Sequence, residues 1–480
     1  MNYRIIGKTL GIILILEAIL MIPSFLVSIY YNQDDRYSFL FCILFTGAVG
    51  FVLCQLKAEK KALKIKDGLA IASFGWIVLS VFGALPFVLS GSIPFYIDAL
   101  FETIAGFTTA GATLVDNVEA LPKGILFWRS FTHWIGGMGI LVFTVAFLPV
   151  VGGFQMFRAE ASGPMADRFV PRIKDTAKIL YITYIALTIT ELILLLLGGM
   201  NLFDAMTHTF ATVGTGGLSP RNGNIGAYHS TYIHMVIAVF MILSGINFSL
   251  YYALFKRKWR DVLKDQELIL YLAIILVATL LITFNLTSTN GKLGASLRDA
   301  FFHVSSIITT TGYTTVNFDL WPAFSKVVLF LLMFVGGCAG STAGGIKVIR
   351  ILVLFKLIKK EIKKIFHPRA VVPIRIGEDK VIHNDTITNI TGFMALYFFI
   401  FMLSTLLISL EGIDLESSIS AVAATLGNIG IGFGAVSPVR TFSGFSVFSK
   451  VLFSILMLLG RLELFTMVAL FAPKSWRNEI

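Results

Sequence analysis

The sequence carries little charge and little cysteine for its length. Only 14% of its 480 residues are Asp, Glu, Lys or Arg, whereas a soluble chain carries about a quarter. The cysteines, Cys42, Cys54 and Cys338, all lie in apolar segments, so they give neither a disulfide framework nor a metal-site spacing. The first apolar run is too long for a signal peptide and lacks a small-residue cleavage site. We therefore interpret that run as a first membrane span.

Apolar residues make up 56% of the chain and the mean hydropathy is +0.82. This composition is typical of a polytopic membrane protein, whose length should not be divided among soluble domains. The formal net charge of +11 comes from Lys and Arg residues that collect in certain loops. That distribution follows the positive-inside rule, which argues against a nucleic-acid partner and predicts that both termini lie in the cytoplasm.

The three-residue motif Thr-x-Gly, in which x is any residue, occurs four times at intervals of roughly 100 residues. Each copy lies between two long apolar segments and follows an amphipathic stretch of about a dozen residues, which is too short to cross a bilayer. The copies are Thr109-Ala110-Gly111, Thr212-Val213-Gly214, Thr310-Thr311-Gly312 and Thr425-Leu426-Gly427. Because every unit begins and ends beside basic residues, the pattern predicts parallel repeats.

The predicted fold class is an all-α polytopic membrane protein with ten spans and four half-helices. Each unit runs as a membrane helix, a pore half-helix, a filter loop and a second membrane helix. An N-terminal hairpin takes residues 1–66, and the pore repeats take residues 67–175, 176–265, 266–386 and 387–480. The second membrane span of unit two is predicted to run from about His229 to Phe255.

The four motifs predict a ring around a pore. Irregular backbone at membrane depth is tolerated only where it is buried in protein or lines a watery cavity. Backbone carbonyls can replace the water around a cation, and Gly allows the backbone angles that aim a carbonyl at a common axis. The alternative is that Gly and Thr serve the close packing of membrane helices. That alternative explains a single copy better than four copies at one period.

Titratable residues lie at and within the half-helices. Those at the starts are Asp98, Asp204, Asp299 and Glu416, and those inside are Glu102, His208 and His303. The first set could form a negative vestibule that gathers cations, but we favour helix capping. The second set is interpreted as hydrogen-bonded structural residues, because no pair in it has metal-ligand spacing.

The second span of unit three contains five glycines together with Ser and Thr. Such a segment does not form a plain helix, so we predict a broken helix whose loop lies under the ring and can plug it. The predicted gate residues in this loop are Gly336, Gly337, Gly340, Ser341, Thr342, Gly344, Gly345 and Lys347. It is not a phosphate loop, because Ile346 stands where that motif requires Lys. The alternative is a glycine-lined packing segment.

Arg461 lies in the middle of the last apolar span. A charge at that depth must face the protein interior or water. One interpretation is a positive barrier that meets the unit-three loop, and the other is a structural pair with Glu463. We favour the first, because residues two apart do not share a helix face.

Several strings in this chain resemble the TrkH family, the membrane subunits of bacterial Trk potassium uptake systems in the TrkH/Trk/Ktr superfamily. The resemblance covers essentially the whole chain. Its strings are residues 107–113, 128–139, 157–160, 171–173, 339–347 and 460–463. The string from Trp128 to Gly139 and the string from Ala339 to Lys347 are the most specific.

The resemblance implies K⁺ passage through a filter with K⁺ at Gly111, Gly214, Gly312 and Gly427. It also implies a gate made by the Gly340 loop and Arg461. The fourth copy continues as Asn428-Ile429-Gly430, so Gly430 stays open as an alternative to Gly427. One glycine per copy implies fewer ion sites and looser discrimination between K⁺ and Na⁺ than in tetrameric K⁺ channels.

The family resemblance further implies partners and a location. Members work as homodimers in the bacterial inner membrane, on a cytoplasmic ring of TrkA subunits that respond to adenine nucleotides (ATP, ADP) and NAD(H). The nucleotide would bind that partner, so no cofactor is expected on this chain, whose other contacts would be membrane lipid. The rival functions are a symporter that couples K⁺ to Na⁺ or H⁺ and an intramembrane enzyme. Neither inverted repeats nor a catalytic constellation supports them.

Overall fold

The computed structural model describes residues 2–56, 65–139, 173–369, 373–376, 380–462, 464, 465 and 467. Glu463 and the family strings at residues 157–160 and 171–172 lie outside these residues. Between Arg375–Ile376 and Lys380–Val381 the described chain forms a two-stranded antiparallel sheet. Its other regular structure is helical.

Two long helices form the N-terminal hairpin, Tyr3–Tyr30 and Asp35–Cys54. They approach closely at Gly11 and Gly50. A Cβ atom on Gly11 would lie 2.7 Å from the Gly50 carbonyl oxygen, and one on Gly50 would lie 2.8 Å from that of Gly11. Small residues at such a crossing let two membrane helices pack backbone to backbone.

Each of the four units begins with a long apolar helix and then a half-helix. The first helices are Ile65–Gly83 with its continuation Leu85–Leu89, Ile173–Leu197, Gln266–Asn290 and Asn384–Ser409. The half-helices, numbered 1 to 4, are Tyr96–Phe107, Leu202–Val213, Leu293–Ile308 and Leu415–Leu426. The half-helices bury most of their residues, whereas the first helices expose large apolar side chains such as Leu276 and Phe284. That exposure is expected of helices that face lipid.

Each unit then passes through a short 3₁₀ helix to its second helix. The 3₁₀ helices after the four half-helices are Val118–Ala120, Asn224–Ala227, Phe318–Leu320 and, in unit four, Gly434–Val436 and Phe442–Gly444. The second helices are Lys123–Gly137, Thr231–Ser244 with Phe248–Phe255, Ala323–Leu332 with Val348–Phe366, and Val447–Leu462. A short helix, Trp259–Leu263, connects units two and three.

The second helix of unit three is broken, as the sequence predicts, because residues 333–347 are not helical. The second span of unit two, predicted from about His229 to Phe255, is also broken, which the sequence analysis did not predict. The two parts of that helix meet at an angle of 92°. Gly245 packs against the Tyr271 side chain and Thr309, and the Asn247 side chain caps the next helix by accepting from the Ser249 N–H at 2.9 Å.

Six helices in the described residues are long and apolar enough to cross a membrane, or seven if the bent pair of unit two counts as one span. The chain is therefore a multi-pass membrane protein. The count of ten spans and the boundaries of the four repeats stay predictions.

Candidate functional site

The four half-helices end in the same backbone turn. We number the three residues after the helix cap as the first, second and third positions of the turn. The first and third positions both have positive φ in every copy. The first positions are Thr109 (55°), Thr215 (55°), Thr310 (56°) and Asn428 (55°). The third positions are Gly111 (70°), Gly217 (72°), Gly312 (81°) and Gly430 (78°). Four segments with one conformation are what an internal fourfold repeat requires.

Hydrogen bonds orient these segments. In every copy the N–H groups of the second and third residues donate to one carbonyl inside the preceding half-helix, over 2.8–3.4 Å. The accepting residues are Ala105, Ala211, Ser306 and Ala424. Among the described residues, no backbone N–H donates to the carbonyls of the three turn positions. The amides thus point back into the half-helices, and the carbonyls are left for another ligand.

The four segments touch one another in cyclic order. A Cβ atom on Gly111 would collide with the Gly216 carbonyl, one on Gly217 with that of Thr311, one on Gly312 with that of Ile429, and one on Gly430 with that of Ala110. Each glycine therefore faces the middle residue of the next copy, and copy four returns to copy one. We call this closed set of four segments the ring. Only glycine combines positive φ with so close a neighbour.

The predicted register is wrong for copies two and four. Thr212 and Val213 end half-helix 2 and Gly214 is its cap, while Thr425, Leu426 and Gly427 take the same places in half-helix 4. Both threonine hydroxyls donate within their own helices, from Thr212 to the His208 carbonyl and from Thr425 to that of Ala421, each at 2.8 Å. The ring instead contains Thr215-Gly216-Gly217 and Asn428-Ile429-Gly430, three residues later.

A clue to this register is present in the sequence. The first ring position needs a left-handed conformation, which Asn adopts more easily than most residues, and Asn428 is followed two residues later by Gly430. Gly430, the alternative to Gly427 in the sequence analysis, is the residue that takes the third turn position of copy four. Copies one and three, Thr109-Ala110-Gly111 and Thr310-Thr311-Gly312, lie where the sequence predicts.

The unit-three loop, residues 333–347, lies against the first positions of the ring. The Gly344 N–H donates to Thr310 Oγ1 at 2.7 Å. A Cβ atom on Gly344 would lie 3.0 Å from that of Asn428. The loop therefore contacts copies three and four on the side of the ring where each segment leaves its half-helix.

The unit-three loop packs into the break between the two parts of the second helix of unit two. Cys338 N–H donates to the Gly245 carbonyl at 2.9 Å, and Phe248 N–H donates to the Gly340 carbonyl at 3.0 Å. The Thr342 hydroxyl adds a bond to the Ser244 carbonyl at 3.1 Å. The backbone groups that the break frees from one helix are thus satisfied by the loop of the next unit.

Glu267, which the sequence analysis did not single out, fixes the base of the loop. Its buried carboxylate accepts from the Ala339 N–H at 2.7 Å and from the Ile349 N–H at 3.1 Å. Ile349 lies in the first turn of the helix Val348–Phe366, where a negative charge is favourable. One carboxylate therefore joins the middle of the loop to the helix that follows it.

Arg461 joins the loop to the ring. Its Nη1 donates to the Thr342 carbonyl at 2.8 Å and to Thr109 Oγ1 at 3.2 Å. Its Nη2 donates to the carbonyls of Gly136 at 2.6 Å and Gly137 at 3.2 Å. Those carbonyls end the helix Lys123–Gly137, where a cation is favourable. The alternative pair with Glu463 lies outside the described residues.

The predicted gate residues do not all play the same part. Gly340 and Gly345 have φ of +76° and +66° and turn the backbone. Gly336 and Gly337 close the base of the loop through bonds with Ile346 and Val348. Ser341 donates to the Cys338 carbonyl at 2.7 Å and Lys347 to the Ala343 carbonyl.

The acidic residues of the half-helices are ion-paired. Asp98 pairs with Lys450 at 3.0 Å, Asp204 with Arg221 at 2.8 Å, Asp299 with Arg298 at 2.9 Å, and Glu416 with Lys326 at 2.5 Å. The side chains that cap half-helices 2 and 4 are instead Asn201 and Asp414, so the capping interpretation was wrong in its residues. The Ser417 backbone N–H and hydroxyl hold the pKa of Asp414 below its ordinary value.

The three titratable residues inside the half-helices are hydrogen-bonded, as predicted. Glu102 pairs with Arg129 at 2.6 Å. His208 and His303 each place Nδ1 within 2.8 Å of a carbonyl one turn earlier. Among the described residues, no group of three His, Cys, Asp or Glu side chains is arranged to hold a metal ion.

Comparison with known proteins gives the family. The TrkH family model, described as a cation transport protein, matches residues 33–478. This chain belongs to the TrkH family. It is 38% identical to the Trk system potassium uptake protein TrkH of Escherichia coli K12 over 100% of both chains, and 34% identical to TrkG of that strain over 99% of both. The resemblance seen in the sequence is confirmed.

The fold agrees with that of a solved TrkH-family member. The crystal structure of the potassium transporter TrkH from Vibrio parahaemolyticus superposes with a TM-score of 0.90 at 35% identity, over 99% of this chain and 100% of that one. The chain is thus an all-α polytopic membrane protein of a transport family, and not an enzyme.

Proposed function

We propose that this TrkH-family protein takes up potassium ions across the bacterial inner membrane through the ring. The observation that carries this proposal is the closed cycle of four segments whose amides bond backward and leave their carbonyls available. A cation that sheds its water needs such oxygens. The relatives are named potassium uptake proteins, which makes K⁺ the expected cation.

The half-helices support cation binding electrostatically. All four direct their C-terminal ends at the ring, and the carbonyl end of a helix carries the negative part of its dipole. The K⁺ sites would use the carbonyls around Gly111, Gly217, Gly312 and Gly430. The middle residues of the four copies differ, so the ring is not symmetric. We therefore expect it to discriminate between K⁺ and Na⁺ less strictly than a symmetric channel does.

The loop and Arg461 form the gate in this proposal. The loop covers the first positions of copies three and four, and Arg461 places a positive charge beside Thr109 of copy one. A fixed cation there opposes the passage of K⁺, so this arrangement is a closed state. Opening requires Arg461 to release the Thr342 carbonyl, the loop to release Thr310, or both.

The family also suggests partners. We propose a homodimer, both termini in the cytoplasm, and a cytoplasmic ring of TrkA-like subunits that bind ATP, ADP or NAD(H) and move the gate. The helix Val348–Phe366 continues directly from the loop and carries Lys359, Lys360, Lys363 and Lys364. A movement of this helix would pull on the loop through Ile349 and Glu267.

A symporter that couples K⁺ to H⁺ or Na⁺ is the second candidate. Glu17 and Glu191 favour it, because both are buried at membrane depth and neither carboxylate is ion-paired with a described residue. Intramembrane acids of this kind often mark proton paths. Neither lies in the ring, so we rank this function second.

Uptake of ⁸⁶Rb⁺ into proteoliposomes separates the candidates. The chain alone and the chain with its nucleotide-binding partner are each tested with an imposed proton gradient, an imposed sodium gradient, or neither. Channel-like uptake is expected to follow the Rb⁺ electrochemical gradient in all three conditions. Uptake that appears only with a proton or sodium gradient would replace this proposal with the symporter.

A further inference from the structure

Arg129 lies in the second helix of unit one and is buried beside the ring. Its side chain is 3% exposed, and that of its partner Glu102 is 0% exposed. Three nitrogens of the guanidinium reach three different acceptors. Nε donates to Glu102 Oε1 at 2.6 Å, Nη2 to Thr113 Oγ1 at 2.8 Å, and Nη1 to the Ser219 carbonyl at 3.1 Å. One side chain therefore joins half-helix 1 to two segments that leave the ring.

Arg129 binds the two segments at equivalent positions along their sequences. Thr113 follows ring glycine Gly111 by two residues, and Ser219 follows Gly217 by two residues. Glu102 strengthens the arrangement, because its Oε1 accepts from the Thr113 hydroxyl and its Oε2 from the Leu114 N–H, both at 2.9 Å. The pair thus fixes the spacing between copies one and two just beyond the ring.

The next contact around the ring is made differently. Copies two and three are joined by neutral groups: the Tyr313 hydroxyl donates to the His208 carbonyl at 3.1 Å, and the Gly226 N–H donates to the Thr314 carbonyl at 3.1 Å. The residues of half-helices 2 and 3 that correspond to Glu102 are His208 and His303, nine positions before their ring glycines. The contact between copies one and two therefore contains a buried ion pair, whereas these hydrogen bonds between copies two and three join neutral groups.

We propose that the Arg129–Glu102 pair determines ion selectivity by holding copies one and two at a fixed spacing. It is a positioning pair that does not touch the ion, and the inference rests on the proposed function of the ring. Discrimination between cations by carbonyls depends on how far these oxygens can move. A planar guanidinium that binds three acceptors resists such movement better than a single hydrogen bond. The pair is also neutral as a whole, so it adds little repulsion to an ion in the ring.

Three variants test this inference by the ratio of K⁺ to Na⁺ uptake in proteoliposomes. Arg129→Lys keeps the charge but cannot span all three acceptors, and the ratio is expected to fall about tenfold, which corresponds to about 1.4 kcal/mol. Thr113→Val removes one hydroxyl and is expected to lower the ratio by about threefold. The double variant Glu102→Gln with Arg129→Gln removes both charges together and is expected to conduct with the low ratio of Arg129→Lys.

The matched control is Arg298→Gln, which removes the partly exposed pair with Asp299 on half-helix 3 and should leave the ratio unchanged. A merely structural role would lower the melting temperature of the variants without changing the ratio. A folded double variant with the wild-type ratio would overturn the inference. If the Arg129 variants do not fold, a folded Thr113→Val protein with the wild-type ratio overturns it instead. Wild-type protein that does not carry K⁺ would contradict the proposed function itself.

Discussion

The register of the fourth ring segment can be tested with two alanine substitutions three residues apart. Gly430→Ala alters a ring glycine with φ of +78°, whose added Cβ would collide with the Ala110 carbonyl. Gly427→Ala alters the cap of half-helix 4, which has an ordinary right-handed conformation with φ of −78°. At that position the new Cβ would lie 2.8 Å from the Ala423 carbonyl oxygen and 3.1 Å from the Met333 carbonyl oxygen. Only the first substitution places its Cβ against a ring carbonyl.

The two costs differ in kind. Placing alanine in a left-handed conformation costs about 1–2 kcal/mol, and relief of the collision must move copy one or copy four. The alanine at position 427 carries no such left-handed cost. Its Cβ crowds the Ala423 carbonyl of its own half-helix, so relief of that contact moves the end of half-helix 4 rather than a ring carbonyl. We expect Gly430→Ala to lower the K⁺/Na⁺ uptake ratio about tenfold or more. We expect Gly427→Ala to keep the ratio within about twofold of wild type.

The assay is ⁸⁶Rb⁺ uptake into proteoliposomes with increasing K⁺ or Na⁺ as competitor. Equal amounts of each variant, matched for oligomeric state and melting temperature, are reconstituted side by side. The ratio of the two half-maximal competitor concentrations is compared with that of wild type. Loss of selectivity in Gly427→Ala with normal selectivity in Gly430→Ala would refute the register and the ring built on it.

Three further substitutions probe the ring and the gate. Gly312→Ser should weaken K⁺ over Na⁺ selection because its Cβ meets the Ile429 carbonyl; unchanged competition by Na⁺ would count against the ring. Arg461→Ala should raise basal ⁸⁶Rb⁺ flux severalfold by removing the bonds to Thr342 and Thr109, and folded protein with wild-type flux would exclude the gate. Glu267→Gln should raise basal flux less, because an amide oxygen still accepts from Ala339 and Ile349; a larger increase than in Arg461→Ala would contradict this ranking.

The half-helices and the broken helix of unit three were predictable because their signals are local. A stretch too short to cross the membrane and followed by Thr and Gly recurs at one period. Five glycines within residues 336–345 leave little helix propensity. Arg461 was predictable for a similar reason, since a lone charge at membrane depth requires a polar environment.

The register of copies two and four was not set by a local signal. Thr-x-Gly is a short motif, and Thr212 and Thr425 also fit into the last turns of their half-helices. The point at which each helix must end is decided by closure of the ring, where Gly217 meets Thr311 and Gly430 meets Ala110. This is a contact between distant parts of the chain.

The break of unit two at Gly245 also depends on tertiary contacts. The segment around it is apolar and continuous in the sequence. The carbonyls of Ser244 and Gly245 leave the helix because Thr342 and Cys338 of the unit-three loop donate to them. Glu267 was missed for the same reason, since an acid at the start of a span is common and its function depends on the loop it holds.

The most direct test of the ring is to locate the ion. Crystals of the protein grown in Rb⁺ or Tl⁺ give an anomalous signal that does not depend on the surrounding atoms. The account predicts a peak on the axis of the ring, enclosed by the carbonyls of the segments that end in Gly111, Gly217, Gly312 and Gly430, and weakened when K⁺ is added back. A ring without a peak, or a peak enclosed by Gly214 and Gly427 instead, would contradict it.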